Sequence, residues 1–328
     1  MNKLLLMRDN LSDQGQIPST GSYCTSPDLI VHDQVADAQT FFTNNYDQDV
    51  NQSINRGSGA NFIYARVKNL SPADTLTAYV HLYASTSSLF MNPSLWKKNR
   101  ICSLEGASLI STQPMLPGAI GVITEPFIFN AKVTTNYCHV GYVAQDSSEP
   151  DIPNQFSSYS DFVVWLQNNT HICLRNFWTL QGQQSNVDQI NEFSNPSETE
   201  ERVGTFNIQL MGRFPVGTTI QVKCPPIGLD STYTVKVLQD MTQIPVACII
   251  PPGISAYLVT SVYLPSGSVW PKGGSLKVTF YVSESWNGAA FRYSIPASLL
   301  GIPKNAPDLF QDQGRLIKVG ECSTRVVE

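Results

Sequence analysis

Two runs of strict alternation between Asn61 and Ser85 constrain this chain more than any other feature. Ile63, Ala65 and Val67 alternate with Phe62, Tyr64, Arg66 and Lys68. After the turn-forming stretch Asn69-Leu70-Ser71-Pro72-Ala73-Asp74, Ala78, Val80, Leu82 and Ala84 alternate with Thr77, Tyr79, His81 and Tyr83. A period of two sends successive side chains to opposite faces of a strand. The pattern therefore predicts paired strands of a β-sandwich, with a small aliphatic face turned inward and a Tyr, Arg and Lys face turned to solvent or to a neighbour. It specifies a fold and no reaction.

The second half alternates in the same way. Phe206, Ile208 and Leu210 share one side; Ile220, Val222 and Cys224 repeat this after a turn at Gly217, and Tyr233, Val235 and Val237 repeat it again. Leu276, Val278, Phe280 and Val282 form the cleanest strand, and Pro-Gly clusters at 251–253, 265–267 and 271–274 punctuate the run. At 328 residues, the chain is long enough for two domains of roughly 150 residues. The expectation is an all-β protein: two tandem antiparallel sandwiches with little helix. Residues 1–27 read as a polar arm, 28–180 as an immunoglobulin-like sandwich, 181–201 as a linker rich in Gln, Ser, Asn and Glu, and 202–328 as the second sandwich. Asp33 to Asn61 reads as a long loop. One helix is expected from Ser160 to Asn169, capped by Ser160 or Asp161, and a short one from Pro296 to Leu300.

Charged residues make up 14% of the chain and the net charge is −5. Neither a nucleic-acid footprint nor a polybasic membrane patch is expected from that balance. The apolar run Leu4 to Met7 is too short for a secretory signal, which needs about 7–15 apolar residues. The expected location is cytoplasmic, or exported without a classical signal peptide. Seven cysteines, an odd number without close pairing, read as buried free thiols.

Candidate chemistry is sparse. Cys138-His139 suggests zinc, but neighbours in a strand point to opposite faces, so a core cysteine beside a hydrogen-bonded histidine is expected. His81 is expected on an outward face. Asp47-Gln48-Asp49-Val50-Asn51 opens like a calcium loop, yet Gln52 stands where an EF-hand needs Gly and Ser58 where it needs Glu. A solvated loop is the expectation and an adventitious calcium the alternative. No nucleophile-elbow, zinc-protease, Walker or dinucleotide pattern occurs. No enzyme, metal or cofactor is therefore expected, although two facing carboxylates or a His with an acid would revive catalysis. Trp270 and Trp286 fall in loop-like segments, and Trp96 precedes a small basic spot at Lys97, Lys98 and Arg100. All three are candidates for stacking on a sugar, a lipid interface or a protein; the alternative is that each ring folds back as a lid over the core.

Ser26-Pro27-Asp28-Leu29, then Asn61, Tyr64, Arg66, Val67 and Asn69, then Cys138 to Ala144, and then Asn168 to Ile172 with Arg175-Asn176, together resemble a bacterial immunoglobulin-like module of the CARDB type. That resemblance spans residues 26–180 and implies an adhesion or scaffold unit with no catalytic residues. The whole-chain layout is similar to that of accessory proteins encoded beside Mak-type α-pore-forming toxins, which implies a non-enzymatic partner of toxin components. The expected function is a protein–protein interaction or accessory module. The alternatives are a carbohydrate- or membrane-surface-binding module and an enzyme with an unpatterned site.

Overall fold

The computed structural model describes residues 4–54, 59–86, 93–132, 137–177, 179–181, 185–283, 290–302 and 314–326. In the first half the strands are β1 (Leu5–Leu6), β2 (Leu29–His32), β3 (Asn61–Asn69), β4 (Tyr79–Thr86), β5 (Arg100–Ser103), β6 (Ile110–Ser111), β7 (Ile120–Val122), β8 (Phe127–Phe129), β9 (Tyr137–Ala144) and β10 (Ile172–Asn176). Three helices accompany them: α1 (Ala38–Asn44), α2 (Pro93–Trp96) and α3 (Tyr159–Gln167). The second half holds β11 (Thr179–Gln181), β12 (Asn186–Ser194), β13 (Arg202–Met211), β14 (Thr219–Cys224), β15 (Leu229–Thr234), β16 (Met241–Ile250), β17 (Ser255–Tyr263), β18 (Ser275–Ser283), β19 (Ser294–Pro296) and β20 (Arg315–Val326). The chain is all-β, as the alternation requires, with antiparallel pairing throughout the described strands except for β11, which runs parallel to β20.

The organising strands β3 and β4 exist where the alternation places them, but they are not partners. The first sheet runs β1-β3-β8-β5-β4-β9-β10, with β2 and β7 also on β3 and β6 on β4. Short β5 is the corner: Arg100 and Ile101 pair with β4, whereas Cys102 and Ser103 pair with β8. The sheet thereby folds over one aliphatic core that takes Ile63, Ala65 and Val67 from β3 and Val80, Leu82 and Ala84 from β4. The faces expected in solvent are buried as well. Tyr64 packs with Phe42 of α1, a helix that Asp37 caps inside the segment expected to be a loop. Tyr83 and Tyr142 enter a second core beneath Trp96 and α3, and His81, expected outward, is buried. A second layer on each side overrides the solvent face that alternation alone implies.

The polar arm is part of this half. Leu5, Leu6, Met7, Arg8 and Asp9 are all buried. Met7 passes so close to Gly141 that a Cβ there would sit 2.8 Å from its Cε atom, so any larger residue would push the Met7 side chain aside. The helix expected at 160–169 is α3; its cap is Ser158, which accepts from the Asp161 N–H, a shift of two residues.

The second half is a two-sheet sandwich. One sheet is ordered β11-β20-β18-β13-β16 with β19 on β20, the other β12-β17-β14-β15. Phe193 of β12 meets Phe206 of β13 across the gap at 5.1 Å. Residues 186–194 lie within the segment expected to be a linker, yet they form a full strand paired with β17. Its inward positions are Val187, Gln189, Asn191 and Phe193, and two buried amides on the core face disguise the period of two. The chain passes from the first half to the second between β10 and β11, and one core cluster continues from Tyr83 and α3 into Phe206, Phe280 and Cys322.

Candidate functional site

The residues that carry the immunoglobulin-like resemblance come together as a buried charge network. Arg8 and Arg66 both reach Asp28, through Arg8 Nη2 to Oδ1 at 2.7 Å and Arg66 Nε to Oδ1 at 3.1 Å, and all three side chains are fully enclosed. The two guanidinium groups also donate to the carbonyls of Tyr46 and Asn45, each at 2.8 Å, and Arg8 lies 3.4 Å from the centroid of the Tyr46 ring. Arg175 donates to the Ser26 carbonyl and pairs with Asp49 at 2.8 Å. The loop that opens like a calcium site is thus fastened by arginines, with Asp49 committed to one of them. Asn61 and Asn69 donate to the carbonyls of Phe129 and Met115. The motif shapes the fold and presents nothing to a ligand.

The two described tryptophans among the candidates fold back over the core. Trp96 is fully buried beside Trp165, and Trp270 is 8% exposed with its ring edge-on to Phe214 at 4.8 Å. Neither offers a face to a sugar or a lipid. Trp286 lies outside the described residues. His139, expected to be hydrogen-bonded, has neither ring nitrogen bonded and sits among Phe129 at 4.6 Å, Phe177 at 4.5 Å and Tyr137. Burial holds its pKa at about 3, so the ring is neutral. All seven cysteines are free, five of them buried, and burial pushes Cys24 and Cys248 up to about 12.

Among the described residues, two concave sites gather polar side chains. The larger is a groove of about 670 Å³ at the corner strand β5, between the ends of β4 and β8. Ala84, Ile101, Phe129 and Tyr137 supply apolar surface, Asn99 and Asn130 supply amides, and Lys98, Arg100 and Lys132 supply positive charge. No carboxylate is among its described lining residues. Arg100 reaches out to Glu149 at 2.6 Å, and that hydrogen bond raises the arginine's pKa and lowers the glutamate's. Lys98 and Lys132 have no ion-pair partner among the described residues. Of the basic spot beside Trp96 that the sequence shows, Lys98 and Arg100 line the groove and Lys97 does not; the groove's third cation, Lys132, is distant in the chain and is brought in by the pairing of β5 with β8.

The smaller cleft, about 240 Å³, gathers His171, Asp146 and Asp151 beside Tyr142. This is a histidine with acids, the combination that general acid–base chemistry uses. Here no hydrogen bond joins His171 to either carboxylate; its ring lies edge-on to Tyr142 at 5.2 Å, and Asp146 accepts from the Ser148 N–H in its own loop. Burial lowers the His171 pKa.

No family model matches the chain and no curated protein does. Among solved structures, red sea bream transglutaminase aligns at 10% identity and a TM-score of 0.22 over 84% of this chain; the chain spans 30% of the transglutaminase's length. A bacterial adhesin from Mobiluncus mulieris aligns at 10% identity and a TM-score of 0.22, over 85% of this chain and 96% of its own. The Enterococcus faecalis MSCRAMM ACE, which binds its ligands by the collagen Hug Model, aligns at 11% identity and a TM-score of 0.21, over 84% of this chain and 97% of its own. Likenesses at these TM-scores carry no argument about this chain.

Proposed function

We propose that this protein acts by binding and not by catalysis, and that the groove at β5 receives an acidic segment of a protein partner. The observation that carries this reading is the charge of the groove: Lys98, Arg100 and Lys132 line it with no described carboxylate, on a chain whose net charge is −5. A local excess of positive charge against a negative whole selects an anionic ligand by complementarity and disfavours like-charged competitors. The apolar floor from Phe129 and Tyr137 gives such a segment side-chain contacts between its charges. In the smaller cleft, His171 lacks a carboxylate partner to orient it, which favours binding over acid–base chemistry. A component of a bacterial multi-component toxin system is one protein that would supply such a segment, in keeping with the resemblance of layout.

The test is a fluorescence-anisotropy titration of the full chain with an Asp/Glu-rich peptide, a Lys-rich peptide of equal length and a heparin fragment. The acidic peptide is expected to bind, to weaken as salt rises, and to lose at least tenfold in affinity with the double variant Lys98→Glu and Lys132→Glu. Equal binding of the Lys-rich peptide, or acidic-peptide binding untouched by the double variant, would overturn the reading. Preference for heparin over both peptides would assign the groove to sulfated glycans instead.

A further inference from the structure

The second sandwich ends in a loop tip that the binding groove does not explain. Three connections that cross from one sheet to the other meet at one end, because β13, β15 and β17 finish there while β14, β16 and β18 begin. The connections are residues 212–218, 235–240 and 264–274. They touch through backbone: the Gly212 N–H donates to the Asp240 carbonyl at 2.7 Å, and a Cβ on Gly212 would sit 3.1 Å from Gly274 Cα. Beneath them Phe214 and Trp270 form a buried edge-on pair that serves as a floor.

On this floor the apices carry apolar side chains outward. Met211, Val216, Val237, Leu238, Met241 and Val269 are 42–74% exposed, and they come from all three connections and the strand ends that flank them. Scattered exposed hydrophobics are ordinary, but six gathered on one tip mark an interaction site. The charges of the tip are Arg213, Lys236 and Lys272 against a single carboxylate, Asp240, which pairs with Arg213 at 3.5 Å. The three connections thus hold three cations and one carboxylate within a chain of net −5.

We propose that this tip docks the protein onto an anionic lipid surface, with Val216, Val237, Leu238 and Val269 entering the headgroup boundary and the three cations facing phosphate or carboxylate headgroups. The arrangement joins the two attractions that hold a protein at a bilayer interface, buried apolar area and basic charge near anionic lipid. The apolar groups stand on the apices of turns, so they can enter a fluid interface without a matching concave partner. Internal hydrogen bonds, including Gly217 N–H to the Val235 carbonyl and Gly274 N–H to the Pro271 carbonyl, fix the turns in advance, so docking has little chain ordering to offset. Attachment is peripheral: among the described residues no helix is long and apolar enough to cross a membrane. The inference is independent of the groove, which lies in the other half.

The test is co-sedimentation of the full chain with phosphatidylcholine vesicles with and without phosphatidylserine. The wild type is expected to pellet with the phosphatidylserine vesicles and only weakly with phosphatidylcholine alone. The double variant Val237→Asp and Leu238→Asp is expected to lower partitioning at least tenfold, and Val269→Asp, on a different connection, gives a second reading should the first variant not fold. Lys98→Glu with Lys132→Glu, in the groove, should pellet like the wild type. The proposal is overturned if the wild type stays in solution with both vesicles, if the tip variants pellet unchanged, or if the groove variant abolishes pelleting. It is equally overturned if sedimentation velocity shows a wild-type dimer that the tip variants dissociate, since a second copy would then cover the tip.

Discussion

At Asp28 one carboxylate is shared by two enclosed guanidinium groups, and the arrangement depends on its charge. Replacing it with Asn keeps the shape and leaves Arg8 and Arg66 facing each other without compensation. Breaking a buried ion pair from one side costs about 3–5 kcal/mol, and urea unfolding of Asp28→Asn should show a loss of that size. His139 makes the opposite demand, because its aromatic cage tolerates only a neutral ring. Arg175 stands directly across from it on β10 and Ala84 on β4, and no carboxylate is opposed to it on either strand. Its folded pKa of about 3 lies below the ordinary 6.5, so the unfolded chain takes up the proton first. The stability this group contributes is complete above pH 6.5 and is lost as pH falls towards 3. His139→Phe, which keeps a ring in the cage, should flatten thermal stability across that window; an unchanged pH profile would show that another group is responsible. Both residues stand in motifs visible in the sequence, but their roles were not. Alternation assigns Arg66 to solvent because it counts residue types along one strand and cannot register the arm and α1 arriving on the far side.

Several elements were legible where an aliphatic face alternates cleanly, although β16 and β17 were not read from the sequence and the run through Val235 and Val237 ends at Thr234. β13, β14 and β18 fall where Phe206, Ile220 and Leu276 begin their runs, and α3 falls where Phe162 and Leu166 share a face. β12 was hidden because Gln189 and Asn191 occupy core-facing positions. Inside, the Gln189 side-chain NH2 donates to Asn191 Oδ1 at 2.9 Å and to the Cys322 carbonyl, local polar partners that no hydropathy pattern reveals. Val187 and Phe193, an even number of residues apart, were the available signal. If β12 is an integral strand, its amides at 187–193 should exchange as slowly as those of its partner β17 in hydrogen–deuterium exchange. Fast exchange there alone would restore the linker reading. The groove was half legible: Lys98 and Arg100 adjoin in sequence, while Lys132 joins them through the β5–β8 pairing.

Across the whole molecule the two halves share contacts that tandem modules on a linker lack. Tyr159 of α3 donates to the Ser194 carbonyl at 2.7 Å and packs edge-on against Phe280. From the arm, Tyr23 donates to the Lys318 carbonyl, and Lys318 Nζ donates to Ser22 Oγ at 3.0 Å. Lys318 and Lys277 both pair with Glu321; burial alone would raise that carboxyl, and the two cations outweigh it and hold it at about 2. A core continuous across the boundary predicts one calorimetric unfolding transition, with the calorimetric and van't Hoff enthalpies equal; two resolved transitions would mean that the halves unfold independently. The two proposals divide the labour at this scale, assigning the groove on the first half to an acidic segment and the apolar tip on the second to a lipid surface. The groove is the central claim, and the measurement that tests it most directly is hydrogen–deuterium exchange with and without the Asp/Glu-rich peptide. Protection concentrated at 98–104 and 128–132 is the predicted result; protection confined to other strands, or none at saturating peptide, would contradict it.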